Sequence, residues 1–309
     1  MTLHLGLSAL VAAASLAQTG STSRLNKVIE LLEKGEQPPL GIFASNISAR
    51  SGASVASSAV DFVIIDLEHS PYDPTRLEAY LLGMIDKRRI ASSGSLQPAV
   101  TPLVRLPANG REHVEYMIKQ VLDLGAMGVV VPHVRNPADA LAAVQAMRYP
   151  QPKGDRAAAP EGRRGVGYGW AVRYWGVAAK DYVAKADLWP LDPYGELLLW
   201  CMVENAEAVA NIDEIAATPG VSGLFVGPSD LAVSLGVAES DPEVEAAILK
   251  IAGACKAAGI ACGTLVSAGG VSARLQQGFR FLAVGSDSGI NSGVAEALRI
   301  GRNNSFRPR

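Results

Sequence analysis

Residues 60–84 read Val-Asp-Phe-Val-Ile-Ile-Asp-Leu-Glu-His-Ser-Pro-Tyr-Asp-Pro-Thr-Arg-Leu-Glu-Ala-Tyr-Leu-Leu-Gly-Met, and this stretch decides the architecture. Its first half holds an unbroken apolar, β-branched run, 62–66, that ends in charge. A run without alternation suits a strand covered on both faces. Its second half, 74–84, starts with Pro74 behind Asp73 and places Leu77, Tyr80, Leu81 and Met84 at helical spacing, the pattern of a capped amphipathic helix. Strand then helix is one βα unit. Outward from it the chain repeats the unit: further apolar runs lie at 41–44, 102–105, 128–132, 197–204, 223–226, 261–266 and 281–285, and helical patterns at 24–33, 111–124, 137–147, 206–216, 242–258 and 271–277. Eight strands with intervening helices predict an α/β fold, a single (β/α)8 TIM barrel.

Composition agrees and narrows the function classes. A chain of 309 residues that is 49% hydrophobic and 19% charged excludes disordered and fibrous classes, and the 28 basic against 30 acidic side chains offer no field for nucleic acid or an anionic membrane. Partners are expected to be small molecules or protein. Cys201, Cys255 and Cys262 are odd in number and lack ligand spacing, so they read as core thiols. Residues 3–17 are apolar and uncharged and end in Ser15-Leu16-Ala17, which suits a signal-peptidase site, yet no basic residue precedes them. An export signal and an ordinary N-terminal helix are both open: a cytoplasmic location is the default, and an exported or periplasmic one follows if residues 1–17 are a signal peptide. The stretch is too short to span a bilayer. The division expected is an N-terminal apolar segment, 1–22, and a barrel domain, 23–309.

Two connections exceed ordinary loop length, 86–101 and 149–196. The second carries Tyr168, Trp170, Tyr174, Trp175, Tyr182, Trp189 and Tyr194, aromatics that will not stay solvated. They pack back as a lid or bury against a second subunit, and the neighbouring Arg163, Arg164 and Arg173 favour the interface.

In a barrel, side chains at the carboxyl ends of the strands converge on one face. Here those ends are Asp66-Leu67-Glu68-His69, Arg105, Pro132-His133, Glu204 and Gly227-Pro228-Ser229-Asp230. Glu204 and Asp230 from neighbouring ends offer hard oxygen ligands for Mg²⁺ or Mn²⁺, leaving positions for water and a 2-oxo acid. Each also suits a helix start, with Ser229 as a rival cap. His69 beside Asp66 suits a general base, or equally a loop or capping histidine. Arg105 would meet an enolate or carboxylate oxygen, pair with Glu68 or Asp66 across the barrel mouth, or do both. No lysine ends a predicted strand, which argues against Schiff-base chemistry. Gly165-x-Gly167-x-Gly169 follows no strand, so it is no dinucleotide fingerprint, and Gly269-Gly270 reads as a plain turn.

The run 60–69, Val130-Val131-Pro132-His133, Arg148-Tyr149-Pro150, Gly162-Arg163-Arg164-Gly165-Val166-Gly167 and Gly223-Leu224-Phe225-Val226-Gly227-Pro228-Ser229-Asp230-Leu231 resemble, in order, the HpcH/HpaI aldolase family, over about residues 24–300. That family comprises class II metal-dependent pyruvate aldolases, such as 2,4-dihydroxyhept-2-ene-1,7-dioate aldolase, on barrels of the phosphoenolpyruvate/pyruvate type, related to citrate lyase β subunits and macrophomate synthase. The resemblance implies a base at His69 supported by Asp66, an enolate-stabilising Arg105, metal ligands at Glu204 and Asp230, and a pyruvate carboxylate held by the backbone of Ser229 and Asp230. It places His133 toward the substrate, as in macrophomate synthase. Met202 stands where family aldolases often carry a glutamine that touches the oxo acid. The implied activity is retro-aldol cleavage of a 4-hydroxy-2-oxo acid to pyruvate and an aldehyde with Mg²⁺, Mn²⁺ or Co²⁺, in a homo-oligomer, often a hexamer. Alternatives are a citrate-lyase-type CoA-thioester lyase and a non-catalytic barrel serving binding or assembly.

Overall fold

A computed structural model describes residues 24–107, 115–151, 159–288 and 292–304. The N-terminal segment 1–22, with its signal-peptide and compartment readings, lies outside the described residues, as does the start of the helix expected from 111. Eight parallel strands close into a barrel: β1 (Leu40–Ala44), β2 (Phe62–Asp66), β3 (Thr101–Arg105), β4 (Gly128–Val131), β5 (Leu198–Val203), β6 (Gly223–Val226), β7 (Ala261–Leu265) and β8 (Phe281–Ser286). Each pairs with the next in sequence, and β8 returns to β1. The expected fold class is the observed one. No helix among the described residues is long and apolar enough to cross a membrane.

The barrel interior is filled by side chains that alternate along the strands. Phe62 and Phe281 stack at 3.8 Å between ring centroids, and Trp200 stacks on the other side of Phe281 at 4.0 Å. Rings of that size leave no room opposite. A Cβ at Gly41 would lie 2.3 Å from the Phe62 ring, and one at Gly223 2.3 Å from Trp200, so glycine at these two positions is a packing requirement.

The amino-terminal end of the barrel is closed by the helix Lys27–Lys34. The sequence pattern places its start at 24; the structure starts it at Lys27 because the Asn26 side chain accepts from Val28 and Ile29 and caps it there. Asn26 also donates to the carbonyls of Met127 (3.1 Å) and Glu196 (3.0 Å), while buried Glu196 accepts the amides of Leu25 and Asn26. Val28 and Ile29 thereby enter the interior cluster of Phe62, Leu103 and Trp200. One end is plugged; the other carries the polar strand ends.

Several helices go beyond the sequence pattern. Lys87–Ser93 has no buried residue and therefore no apolar stripe to read, being defined by its Asp86 cap and the left-handed Gly94 at its end. The helix expected over 206–216 breaks into Ala206–Ala210 and Ile212–Ala216, where the Asn211 amide turns to donate to the Arg135 carbonyl at 2.9 Å. Pro228–Leu235, between β6 and the next long helix, is set by its first-turn proline and Gly236.

The described part of the long connection 149–196 includes two short helices, Gly169–Trp175 and Ala179–Lys185. Most of its aromatics pack back on its own barrel: Trp175 donates to the Gly125 carbonyl (2.9 Å), and Tyr182, fully buried, donates to the Leu122 carbonyl. Arg164 reaches both Asp123 (2.7 Å) and the Tyr182 hydroxyl (2.9 Å), and Arg148 forms a buried fork on Asp187 at 2.6 and 2.7 Å. The partners outside the connection, Leu122, Asp123 and Gly125, lie on Glu115–Asp123 and on the turn entering β4, toward the plugged end. The connection is therefore no lid over this chain's own strand ends. Trp170 and Tyr194 remain exposed.

Candidate active site

Register positions the first pair. Asp66 and Arg105 are the last paired residues of β2 and β3, side by side at the open end. Arg105 donates from Nε to Asp66 Oδ1 (2.9 Å) and from Nη2 to Oδ2 (2.7 Å), a two-point fork between two buried side chains. Its Nη1 lies 2.9 Å from Glu68 Oε2, and the guanidinium carbon sits 4.9 Å from the centre of the Phe43 ring, which backs it from β1. Arg105 thus pairs with both Asp66 and Glu68. Burial would push the Asp66 carboxyl up, but the hydrogen-bonded Arg105 charge outweighs it and holds Asp66 below the usual carboxylate range.

Asp66 does not hold the His69 ring. Its Oδ1 instead accepts the backbone amides of Glu68 (3.0 Å) and His69 (3.4 Å), which shapes the turn after β2. The His69 imidazole points outward, 67% exposed, and its nearest carboxylate is Glu68, with Nε2 3.7 Å from Oε2. His69 caps no helix, since Asp73 caps Pro74–Gly83.

Glu204 follows β5 directly and is buried. It is free of the capping duty, because Asn205 accepts from Ala208 and caps the next helix. Its Oε1 accepts the His133 amide at 2.7 Å and lies 3.3 Å from His133 Nδ1, while the other ring nitrogen is 3.7 Å from Glu68 Oε1. His133 adopts φ 52, the one left-handed non-glycine among the described residues, and this turn after β4 aims its ring between the two glutamates. Burial, reinforced by the nearby charges of Glu68 and Asp230, pushes the Glu204 carboxyl up to about 7, although His133 opposes the rise. Burial likewise raises Glu68.

Asp230 comes from the first turn of Pro228–Leu235, on the turn after β6, and is exposed. It is close enough to act on the Glu204 charge. Gly227 connects the two: a Cβ there would lie 2.6 Å from Glu204 Oε2, so this carboxylate oxygen faces the turn that carries Asp230 only because the residue has no side chain. The Ser229 hydroxyl is turned aside to Glu239 (2.7 Å), and no side chain caps the helix. Its first-turn amides, including those of Ser229 and Asp230, are the groups a carboxylate would meet. Met202, buried one inward-facing position before Glu204, lines the floor.

The structure therefore gathers Asp66, Glu68, Arg105, His133 and Glu204 at one open end, with His69 and Asp230 at its edge. Among the described residues, the one group of acidic, histidine or cysteine side chains compact enough for an ion is Glu68, His133 and Glu204, with ligand atoms within 4.8 Å of one another. Sequence reasoning treated Glu68 only as an ion-pair partner and did not single out Phe43 or Gly227. The spacing Asp66-x-Glu68 was the available signal.

The HpcH/HpaI aldolase/citrate lyase family model matches residues 40–292. The chain is 33% identical to the 5-keto-4-deoxy-D-glucarate aldolase of Citrobacter koseri over 262 residues, covering 84% of this chain and 90% of that one. It is 32% identical to the hydroxypyruvate/pyruvate aldolase of Roseobacter denitrificans over 280 residues, 89% and 97% of the two chains. Among solved structures, an HpcH/HpaI aldolase/citrate lyase family protein from Burkholderia cenocepacia superposes with a TM-score of 0.69 at 30% identity, covering 89% of this chain and 97% of that one. With strand ends of this kind and similarity of this extent, the chain belongs to the HpcH/HpaI aldolase/citrate lyase family and is a lyase of the aldolase type.

Proposed function

We propose that the protein catalyses reversible retro-aldol cleavage of a 4-hydroxy-2-oxo acid into pyruvate and an aldehyde, with a divalent ion, Mg²⁺, Mn²⁺ or Co²⁺, held by Glu204 and Asp230. The observation that supports it most is the Asp66–Arg105 fork beside buried Glu204 at the barrel's open end. Among the described residues, four carboxylates, Asp66, Glu68, Glu204 and Asp230, meet there around a single guanidinium. That surplus of negative charge, with Gly227 leaving space between Glu204 and the Asp230 turn, fits a hard cation. The relatives' names agree on substrate class: 5-keto-4-deoxy-D-glucarate, counted from its other carboxylate, is a 4-hydroxy-2-oxo acid, and pyruvate is the simplest 2-oxo acid product.

The ion, when bound, supplies Lewis-acid polarisation of the C2 oxo group. The amides of Ser229 and Asp230 take the substrate carboxylate at the start of their helix. His69, at the rim, accepts the C4 hydroxyl proton. The C3–C4 bond then breaks, the aldehyde leaves, and the electron pair remains as pyruvate enolate, whose oxygen faces Arg105. Asp66 keeps that guanidinium in place, and a proton returned to C3 completes pyruvate. His133 borders the same space and touches the substrate. We read the assembly as a homo-oligomer, which light scattering checks.

The deciding experiment follows pyruvate C3 proton exchange in D₂O, with and without EDTA, alongside aldol formation across a panel of aldehydes. Metal-dependent exchange with aldehyde turnover is expected. Exchange indifferent to EDTA, or turnover confined to acyl-CoA thioesters, would overturn the assignment.

A further inference from the structure

We propose that the two long connections, 86–101 and 149–196, together build a binding site for a small apolar monocarboxylate at the plugged end of the barrel, apart from the catalytic strand ends. They border a cleft of about 520 Å³, its open mouth included, which lies in the range of small-molecule pockets. Ile90, Leu96 and Pro98 come from the first connection, and Tyr174 and Trp175 from the second. Ala99 and Met127, just ahead of β3 and β4, also line it, which fixes its place at the amino-terminal ends of the strands. The two connections meet at its edge: a Cβ at Gly176 would lie 3.0 Å from the Leu96 side chain. Neither reaches over the strand ends, so the proposed reaction accounts for neither length.

Polar groups on the cleft name its occupant. Tyr174 lines it, and the Tyr174 hydroxyl is buried without a hydrogen-bond partner among the described residues. A buried hydroxyl in that state calls for a partner that the chain itself does not supply. Arg89 lines the cleft too: its Nη1 donates to the Gln97 carbonyl, and no acidic side chain pairs with it among the described residues. The adjoining groove, which shares Met84, Ile85 and Asp86 with the cleft, adds Lys87 and Arg173, again with no acidic partner among the described residues. Against these three cations stands one acid, Asp86, whose Oδ1 already accepts the amides of Arg88 and Arg89 as a helix cap. An apolar body suits the wall, and one carboxylate would serve both the guanidinium and the hydroxyl.

The probe is benzoate, with benzamide as its uncharged counterpart, and the readout is NMR of the full chain labelled with ¹³C-methyl methionine. Met84 and Met127 report on the cleft and Met202 on the catalytic floor, each peak assigned by its Met→Leu variant. Benzoate should shift the Met84 and Met127 methyls and leave Met202 in place. Benzamide should bind more weakly by about tenfold, the size of one charge-assisted hydrogen bond. Tyr174→Phe removes only a hydroxyl that has no partner, so it should keep the fold and weaken benzoate by about threefold or more. Arg89→Gln should erase the preference for benzoate over benzamide. Benzoate that moves Met202 alone, or moves no methyl at about 10 mM, overturns the site. Equal binding of benzamide to the wild type, or benzoate binding unchanged in both variants, overturns the carboxylate assignment.

Discussion

Replacing Glu204 by glutamine should stabilise the metal-free protein above neutral pH, because the native carboxylate is buried against its own preference for water. Its pKa lies at about 7 in the folded chain against 4.5 when unperturbed. The folded state therefore binds more protons than the unfolded state across that window, and stability falls as pH rises through it, the sign expected for an acid whose folded pKa is raised. A lift of that size corresponds to about 3 kcal/mol, fully felt above pH 7 and absent below about 4.5. Glutamine keeps an oxygen for the His133 amide and carries no charge to desolvate. For a chain of this length, about 3 kcal/mol moves the melting midpoint by about 5 °C. The assay is thermal unfolding followed by near-ultraviolet circular dichroism in EDTA at pH 5.0 and 8.5. The variant should melt about 5 °C above wild type at pH 8.5, with the gap nearly closed at pH 5.0. A thousandfold excess of Mn²⁺ over Kd should invert the order, since wild type alone gains, by about 4.1 kcal/mol. A variant that melts below wild type in EDTA at pH 8.5, or a gap independent of pH, refutes the reasoning.

Other perturbations separate the remaining parts. Asp66→Asn removes the charge that anchors Arg105, so kcat for aldol cleavage should fall by about a hundredfold and the melting temperature should fall as well, because a buried guanidinium loses its two-point partner, measured by steady-state assay and calorimetry. His69→Ala should damage aldol cleavage far more than oxaloacetate decarboxylation, and Arg105→Ala should suppress both; equal damage from His69→Ala in the two reactions counts against it as the hydroxyl base. Arg148→Met leaves Asp187 charged in the interior and should cost about 3–5 kcal/mol, read in denaturant, while the KM of the folded fraction stays unchanged. Deleting residues 170–190 uncovers Leu122 and Gly125 rather than the strand ends, so it should lower the melting temperature and leave aldehyde preference alone; a stable protein with altered preference would contradict the packing described above.

The barrel was legible because its strands are buried on both faces: 62–66 and 223–226 are unbroken apolar runs, and their boundaries in the sequence pattern are those of β2 and β6. The helix starts at Pro74 and Pro137 were equally plain, since proline is pre-set for the first helical position. Lys87–Ser93 escaped because an exposed helix has no period to detect. At the site, convergence of the strand ends followed from topology, but side-chain direction did not. Nothing in Pro132-His133-Val134 announces a left-handed histidine, and nothing in Asp66-Leu67-Glu68-His69 tells that Asp66 would bind the His69 backbone while Glu68 turned toward the ring of a residue 65 positions later. Those outcomes depend on the register between strands, which the amino-acid pattern specifies only once the barrel is closed.

The plug formed by Lys27–Lys34 has a consequence for traffic. With Val28 and Ile29 seated among the interior rings, the barrel is packed solid beneath its strand ends, and whatever enters by the rim leaves by the rim. A substrate seated on that floor must therefore be unloaded in the reverse of the order in which its two halves are stacked. The fragment nearest the opening departs while the deeper one still blocks solvent from the floor, and a reactive carbanion equivalent left behind is shielded until its companion has cleared the mouth.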